Sequence, residues 1–226
     1  MRKFALILAL LLAGATALHA QVGTPYKYGH RWSIAAFGGS MVFNGDYSTQ
    51  FVDHHMVEEF FSALGGLALW YNLTDGYELR FSANYSKKAG LVSPDYGFLP
   101  YTFRSINGYA DFVVNYRGLG EYYTAFIPRL YVGTGLSYTY GFNRSWIDGE
   151  DMPVLSEKNY APSFHLGFQV EYAFPSGFGL IFDMGVASFL DPYNGLAYND
   201  FPIDFEFDTW FGVVYHFKLP KKYKKH

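Results

Sequence analysis

A period-two alternation of apolar and polar residues recurs in eight stretches of the chain. It is clearest over 77–86, where Tyr, Leu, Phe, Ala and Tyr occupy the odd positions and Glu78, Arg80, Ser, Asn and Ser the even ones. Successive side chains of a β-strand point to opposite faces, so each stretch predicts a strand with one apolar and one polar face. A half-buried sheet and a transmembrane barrel both have such strands.

Aromatic and glycine content favours the barrel. The 226 residues include 21 Tyr, 23 Phe, 4 Trp and 24 Gly. Aromatic residues form girdles at the two membrane interfaces, and glycine permits sharp curvature in a small barrel. No stretch after residue 20 has the roughly 20 apolar residues of a spanning helix, so a mature chain that crosses a membrane must cross it as a closed barrel. We therefore predict an all-β fold, an eight-stranded antiparallel up-and-down transmembrane β-barrel, with a soluble β-sandwich as the alternative.

Connection lengths predict how the barrel is oriented. The strands are expected near 31–44, 60–73, 77–87, 101–116, 124–141, 160–174, 178–190 and 205–218. The connections at 72–76, 117–122 and 175–177 are short, whereas those at 45–59, 88–100, 142–159 and 191–204 are longer and more polar. Outer-membrane barrels have short periplasmic turns and long extracellular loops, which predicts that both termini are periplasmic.

The first twenty residues have the pattern of a secretory signal peptide. Two basic residues precede an apolar run over 4–13, and small residues follow as far as Ala20. Cleavage after Ala20 is preferred, with Ala15 and Ala17 as alternatives. The chain has no cysteine, which excludes a lipidated N-terminus and a disulfide framework. The predicted division is a signal peptide at 1–20, a barrel at 21–218 and a basic periplasmic tail at 219–226.

Charged residues occupy the predicted inward face of several strands. An eight-stranded barrel is just wide enough for side chains to fill it, so these residues are expected to form an ion-pair and hydrogen-bond network. A proton or ion path is the alternative. The predicted lumen network consists of Glu78, Arg80, Asp111, Arg129, Glu171 and Asp183.

Two further groups resemble chemical sites. Imidazole and carboxylate groups in the first long loop could bind a divalent metal, but adjacent histidines rarely point at one ion without a supporting scaffold, so a solvated loop or a short helix over the barrel mouth is favoured. Ser163 and His165 could form a nucleophilic couple, yet both fall on the lumen face, away from lipid. We therefore predict no catalytic residue, no metal site and no cofactor. The loop group is Asp53, His54, His55, Glu58 and Glu59.

A cluster of lysines follows the last predicted strand. Pro220 prevents that strand from continuing, and Lys221, Lys222, Lys224 and Lys225 come directly after it. A basic periplasmic tail is either solvated or docked on an acidic partner surface, and these lysines are the candidate partner contact.

Several segments resemble one family of small outer-membrane barrels. They are Trp32–Tyr47, with its Gly-Gly-Ser and Gly-Asp elements, and then Ala63–Leu73, Glu78–Tyr85, Tyr131–Gly135 and Phe168–Tyr172. These segments are similar to strands of the PorG-type barrels of the type IX secretion and gliding machinery.

The resemblance implies a non-catalytic outer-membrane component that links the membrane to a periplasmic ring or lipoprotein of the secretion apparatus. Its expected partners are outer-membrane lipid and other components of the secretion complex. A small pore or ligand-binding barrel is the second hypothesis, and a lipid-modifying enzyme is the third. No basic-aromatic surface for nucleic acid is evident.

Overall fold

The computed structural model is a closed antiparallel barrel of eight strands, which confirms the predicted fold class. It describes residues 31–44, 61–74, 76–91, 100–116, 125–143, 157–174, 176–190, 193 and 203–217. The strands are β1 (Trp32–Asn44), β2 (Phe61–Asn72), β3 (Tyr77–Leu91), β4 (Pro100–Asn115), β5 (Phe126–Asn143), β6 (Lys158–Ala173), β7 (Phe178–Leu190) and β8 (Ile203–His216).

Each strand pairs with its neighbour in the sequence, and β1 closes the barrel against β8. Closure removes both sheet edges, so every strand has a partner on each side. No helix in the described part of the chain has the length and hydropathy of a membrane span.

Strand ends differ from the predicted ones by a few residues. β3 continues to Leu91 rather than 87, because Lys88 still pairs with Phe103 and the ladder runs on to Pro100. Lys88 therefore belongs to a strand and not to the predicted loop at 88–100. β5 begins two residues later than predicted, and β6 and β8 each begin two residues earlier. Backbone pairing does not require the side-chain alternation from which the ends were predicted.

The wall of the barrel is apolar outside and polar inside. Leu67, Phe112 and Leu166, all predicted to face outward, are 58%, 42% and 45% exposed. Arg80 and Glu171, both predicted to face inward, are each 1% exposed. This inverse of a soluble fold is the arrangement of a barrel that crosses a membrane.

One irregularity interrupts β5 near its end. The register between the two strands shifts between Thr102 and Arg104 of β4, and Gly141 of β5 adopts a φ of 65°. Glycine adopts this backbone conformation without steric cost, as a bulge requires. The extra residue turns Phe142 toward the buried cluster that contains Phe103.

The two ends of the barrel differ in the lengths of their connections. β1 starts and β8 ends at the rim that carries the connections 73–76, 116–125 and 174–177, of 4, 10 and 4 residues. The connections 45–60, 92–99, 144–157 and 191–202, of 16, 8, 14 and 12 residues, lie at the other rim. We call these the terminal rim and the loop rim. The predicted contrast in length therefore fails for one pair, because β3 extends into the predicted long loop at 88–100 and β5 begins later than predicted. The predicted signal peptide at 1–20, the loop residues Asp53, His54, His55, Glu58 and Glu59, and the tail residues Lys221, Lys222, Lys224 and Lys225 lie outside the described residues.

Candidate functional site

The lumen is filled by side chains in three successive clusters. The terminal cluster lies nearest the terminal rim and consists of Ser33, Glu78, Asn115, Arg129, Glu171 and His216. The central cluster consists of Arg80, Asp111, Tyr131, His165 and Asp183. The mouth cluster consists of Phe43, Lys88, Phe103, Phe189, Tyr193 and Glu206.

In the terminal cluster, one arginine bridges two carboxylates. Arg129 Nε donates to Glu78 Oε2 at 3.0 Å, and its Nη1 donates to Glu171 Oε2 at 2.7 Å. Glu171 Oε1 lies 2.6 Å from His216 Nε2, whose ring Nδ1 lies 2.8 Å from Ser33 Oγ. The connected groups come from β1, β3, β5, β6 and β8, so this network ties opposite walls of the barrel together.

In the central cluster, Arg80 likewise bridges two carboxylates. Its Nε donates to Asp111 Oδ2 at 2.8 Å, and its Nη1 donates to Asp183 Oδ2 at 2.9 Å. The guanidinium carbon lies 3.6 Å from the centre of the Tyr131 ring, and the Tyr131 hydroxyl donates to Asp183 Oδ1 at 2.7 Å. The rigid donor geometry of a guanidinium suits such a bridge between two carboxylates, and stacking on the Tyr131 ring fixes its orientation further.

Because Gly133 on β5 has no side chain, His165 can join this cluster. Gly133 pairs with Asp111 of β4 on one side and with His165 of β6 on the other. A Cβ at Gly133 would collide with Asp111 Oδ1. Because that space is open, His165 Nδ1 approaches Asp111 Oδ1 to 3.1 Å across the intervening strand.

The mouth cluster places a lysine in an aromatic box. Lys88 Nζ contacts the Glu206 carboxylate and the Tyr193 hydroxyl, and it lies 4.6 to 5.8 Å from the ring centres of Tyr193, Phe189 and Phe43. The carboxylate neutralises the buried ammonium, and the ring faces stabilise it further.

Tyr193 reaches this position from the connection between β7 and β8. Its ring stacks on Phe189 with centroids 3.8 Å apart, and its backbone oxygen accepts a 2.9 Å hydrogen bond from Thr139 Oγ1. Burial and the nearby Glu206 carboxylate raise the pKa of the Tyr193 phenol well above its ordinary value. The phenol therefore stays protonated and donates to Glu206 at 3.2 Å.

The six residues of the predicted lumen network all lie inside the barrel, but in two separate groups. Glu78, Arg129 and Glu171 belong to the terminal cluster, and the other three belong to the central cluster: Arg80, Asp111 and Asp183. Buried Asp and Glu outnumber buried Lys and Arg in the described residues, which explains why each arginine serves two carboxylates.

Ser163 and His165 do not form a nucleophilic couple in this lumen. The His165 ring is turned to Asp111, with Asp208 Oδ2 4.0 Å away, and Tyr109 stacks on it at 4.1 Å. Within the described residues, Ser163 Oγ makes no hydrogen bond. The contacts of His165 are those of a lumen-filling residue.

Sequence reasoning missed the mouth cluster. Lys88 was detectable, since it continues the inward parity of β3 beyond the last clear alternation, and Glu206 lies on the polar face of β8, where sequence parity places it. Tyr193 was not, because a residue in an irregular connection has no periodicity that could place it.

Sequence comparison gives no relative: no protein-family model matches the chain, and no curated protein matches it in sequence. Solved structures of small barrels are similar to it in fold. Ail, the attachment invasion locus protein of Yersinia pestis, is 15% identical over 84% of this chain and all of its own, with a TM-score of 0.48. Neisserial surface protein A is 12% identical over 82% of this chain and 97% of its own, with a TM-score of 0.48. OprG from Pseudomonas aeruginosa is 16% identical over 84% of this chain and 99% of its own, with a TM-score of 0.45.

Proposed function

We propose that this chain is an outer-membrane barrel of a Gram-negative bacterium that serves as a non-catalytic anchor or assembly component of a secretion machine. The terminal rim faces the periplasm in this proposal, and the loop rim faces outward. The observation that carries it is the filled lumen. Three clusters of buried side chains follow one another along the barrel axis and link its strands. The barrel is therefore a rigid transmembrane element to which other components can be anchored.

The same observation weighs against a pore. At one level of the lumen Arg129 makes ion pairs with carboxylates of other strands, and at the next level Arg80 does the same. The aromatic box around Lys88 forms a third level. A solute would have to separate buried ion pairs at two successive levels, and the loss of one partner from such a pair costs about 3–5 kcal/mol.

The lumen also weighs against a lipid-modifying enzyme. A nucleophile and base on the lipid-facing side of the wall would meet a lipid substrate directly, and a nucleophile must lie within hydrogen-bond reach of its base. Ser163 and His165 are 8% and 4% exposed and face inward.

A role in type IX secretion is supported by the sequence resemblance over segments of β1, β2, β3, β5 and β6 and by the basic tail. β8 ends at the terminal rim, and the lysines follow it in the sequence. In the proposed orientation this rim faces the periplasm, where a ring or lipoprotein of the secretion apparatus would lie. Four lysines within residues 221–225 suit a partner with an acidic surface.

Affinity purification from native membranes in mild detergent tests the anchor role. The variants are a truncation after Leu219 and a full-length chain with Lys221, Lys222, Lys224 and Lys225 changed to Gln. Both should insert like the wild type, because β8 retains its complete backbone ladder with β1 and β7. Recovery of secretion components should fall in both variants and should fall in the wild type as salt is raised, because each exposed ion pair contributes only about 0–1 kcal/mol.

Arg31→Gln is the matched control, since it removes an exposed positive charge at the same rim without touching the tail. It should leave partner recovery unchanged. Recovery of the same partners at equal amounts from the wild type and both tail variants would contradict the proposed contact.

A further inference from the structure

The outer wall of the barrel carries very few charges, and their placement is uneven. Of the Asp, Glu, Lys and Arg residues within the eight strands, only Lys87, Arg104 and Lys158 have exposed side chains. All three are basic. The remaining charged side chains of these strands are buried in the lumen.

Strand register brings these three residues into one row. Lys87 of β3 pairs with Arg104 of β4, Arg104 pairs with Tyr140 of β5, and Tyr140 pairs with Lys158 of β6. Neighbouring strands are about 4.8 Å apart, so the first two cations are adjacent and the third lies about 10 Å beyond them. We call the four register partners Lys87, Arg104, Tyr140 and Lys158 the basic row.

An aromatic row lies directly beneath the basic row, toward the middle of the barrel. Tyr85, Ile106, Tyr138 and Tyr160 are register partners across the same four strands. Tyr85 and Tyr160 are 47% and 65% exposed, and the Tyr138 ring lies 5.0 Å from the Tyr160 ring. Tyrosines at this density mark a membrane interface, where the ring lies among acyl chains and the hydroxyl among headgroups.

The height of Lys87 agrees with the headgroup level. Lys87 follows Tyr77, an exposed aromatic residue of the terminal rim, by ten residues along β3. Ten residues at about 3.4 Å each, tilted by about 40°, rise about 26 Å along the barrel axis, close to the roughly 25 Å of an outer-membrane apolar band. Lys87 and Arg104 therefore lie where the hydrocarbon ends.

The terminal rim has no such row. Its outward strand residues are aromatic or aliphatic, among them Trp32, Tyr71, Phe126 and Tyr215, and Arg31, directly before β1, is the one exposed charged side chain among the described residues of this rim. Among the described residues, three cations linked by strand register thus lie at the loop rim and one lies at the terminal rim. This difference favours an anionic ligand at the loop rim.

We propose that the basic row binds the phosphate groups of lipopolysaccharide in the outer leaflet. Arg104 supplies the bidentate phosphate contact that guanidinium favours, and Lys87 supplies an adjacent point charge. Lys158 extends the site toward a second phosphate of the same headgroup, with the exposed Glu157 beside it in sequence. The choice of lipopolysaccharide rests on the membrane orientation proposed above, because that orientation places the loop rim in the outer leaflet.

Binding of labelled lipopolysaccharide to the full chain, refolded in a neutral detergent, tests the proposal. Near an anionic membrane surface each basic residue contributes about 1 kcal/mol, which is about fivefold in affinity. Arg104→Gln should therefore bind about fivefold more weakly than wild type, and Lys87→Gln with Arg104→Gln about 25-fold more weakly. Arg104→Lys should bind more weakly than wild type but more tightly than Arg104→Gln, because it keeps the charge and loses the bidentate geometry.

Arg31→Gln is the matched control, because it removes an exposed arginine charge at the opposite rim and should not change the affinity. Unboiled gel mobility checks that each variant is folded. Two measurements need no variant: dephosphorylated lipopolysaccharide should bind wild type much more weakly than the intact form, and binding of the intact form should weaken as salt rises.

Equal affinity of the double variant and wild type, or of the intact and dephosphorylated lipid, would overturn the site. Equal affinity for phosphatidylglycerol and lipopolysaccharide would overturn the choice of ligand. Neither outcome depends on the periplasmic partner, so failure here is distinguishable from failure of the anchor role.

Discussion

Arg80 offers the sharpest test of how the lumen is held together. Its guanidinium makes ion pairs of 2.8 and 2.9 Å with Asp111 and Asp183, and side-chain exposure is 1% or less for all three groups. Arg80→Met keeps a long apolar stem but leaves two carboxylates buried without their shared cation. Removing one partner of a buried ion pair costs about 3–5 kcal/mol, and that is the expected loss in the free energy of unfolding.

Urea unfolding in phosphatidylcholine vesicles, followed by unboiled gel mobility, measures this loss. Lys87→Met is the matched control: it removes a positive charge from the same strand at an exposed outward position, and it should change stability by about 0.5 kcal/mol or less. Adding Asp111→Asn and Asp183→Asn to Arg80→Met should restore at least half of the loss, because no unpaired charge then remains.

Equal unfolding midpoints for Arg80→Met and Lys87→Met would refute this reasoning. Such a result would mean that water, rather than the arginine, compensates the two aspartates.

Two further predictions use the same vesicle assay. Leu166→Arg places a charge on the lipid face and should cost about 2–4 kcal/mol near the middle of the membrane, so stability equal to wild type would overturn the assigned face. Gly133→Ala should cost about 1–3 kcal/mol, because its Cβ would collide with the backbone oxygen of Ala110 and with Asp111, and would push Asp111 from His165. Gly108→Ala is its control, since the nearest atom to a Cβ there is 3.9 Å away; equal effects of the two alanines would contradict the role given to Gly133.

Side-chain alternation predicts the strands and their faces because lipid and lumen impose opposite chemistry on successive residues. It predicts neither the strand ends nor the ion pairs. The sequence predicts that Lys88 lies in a loop, because Ala89 and Gly90 after it show no contrast in polarity. The backbone ladder nevertheless continues through them.

Partner choice in the lumen depends on geometry across the barrel. Arg80 reaches Asp183 on β7, four strands away along the sheet in either direction, and only the closure and stagger of the barrel bring the two together. Alternation places both residues inside, but it carries no information about which cation meets which carboxylate. The position of Tyr193 is likewise set by contacts with Phe189 and Thr139 and not by any local pattern.

Planar-bilayer recording tests most directly the central claim that this is a membrane barrel with a filled lumen. The folded state of the protein, shown by a difference in gel mobility between unboiled and heated samples, is established first. The account predicts no discrete channel openings from the wild-type protein, because Arg129, Arg80 and the aromatic box around Lys88 close the lumen at successive levels. A steady unitary conductance from folded, inserted protein would contradict it.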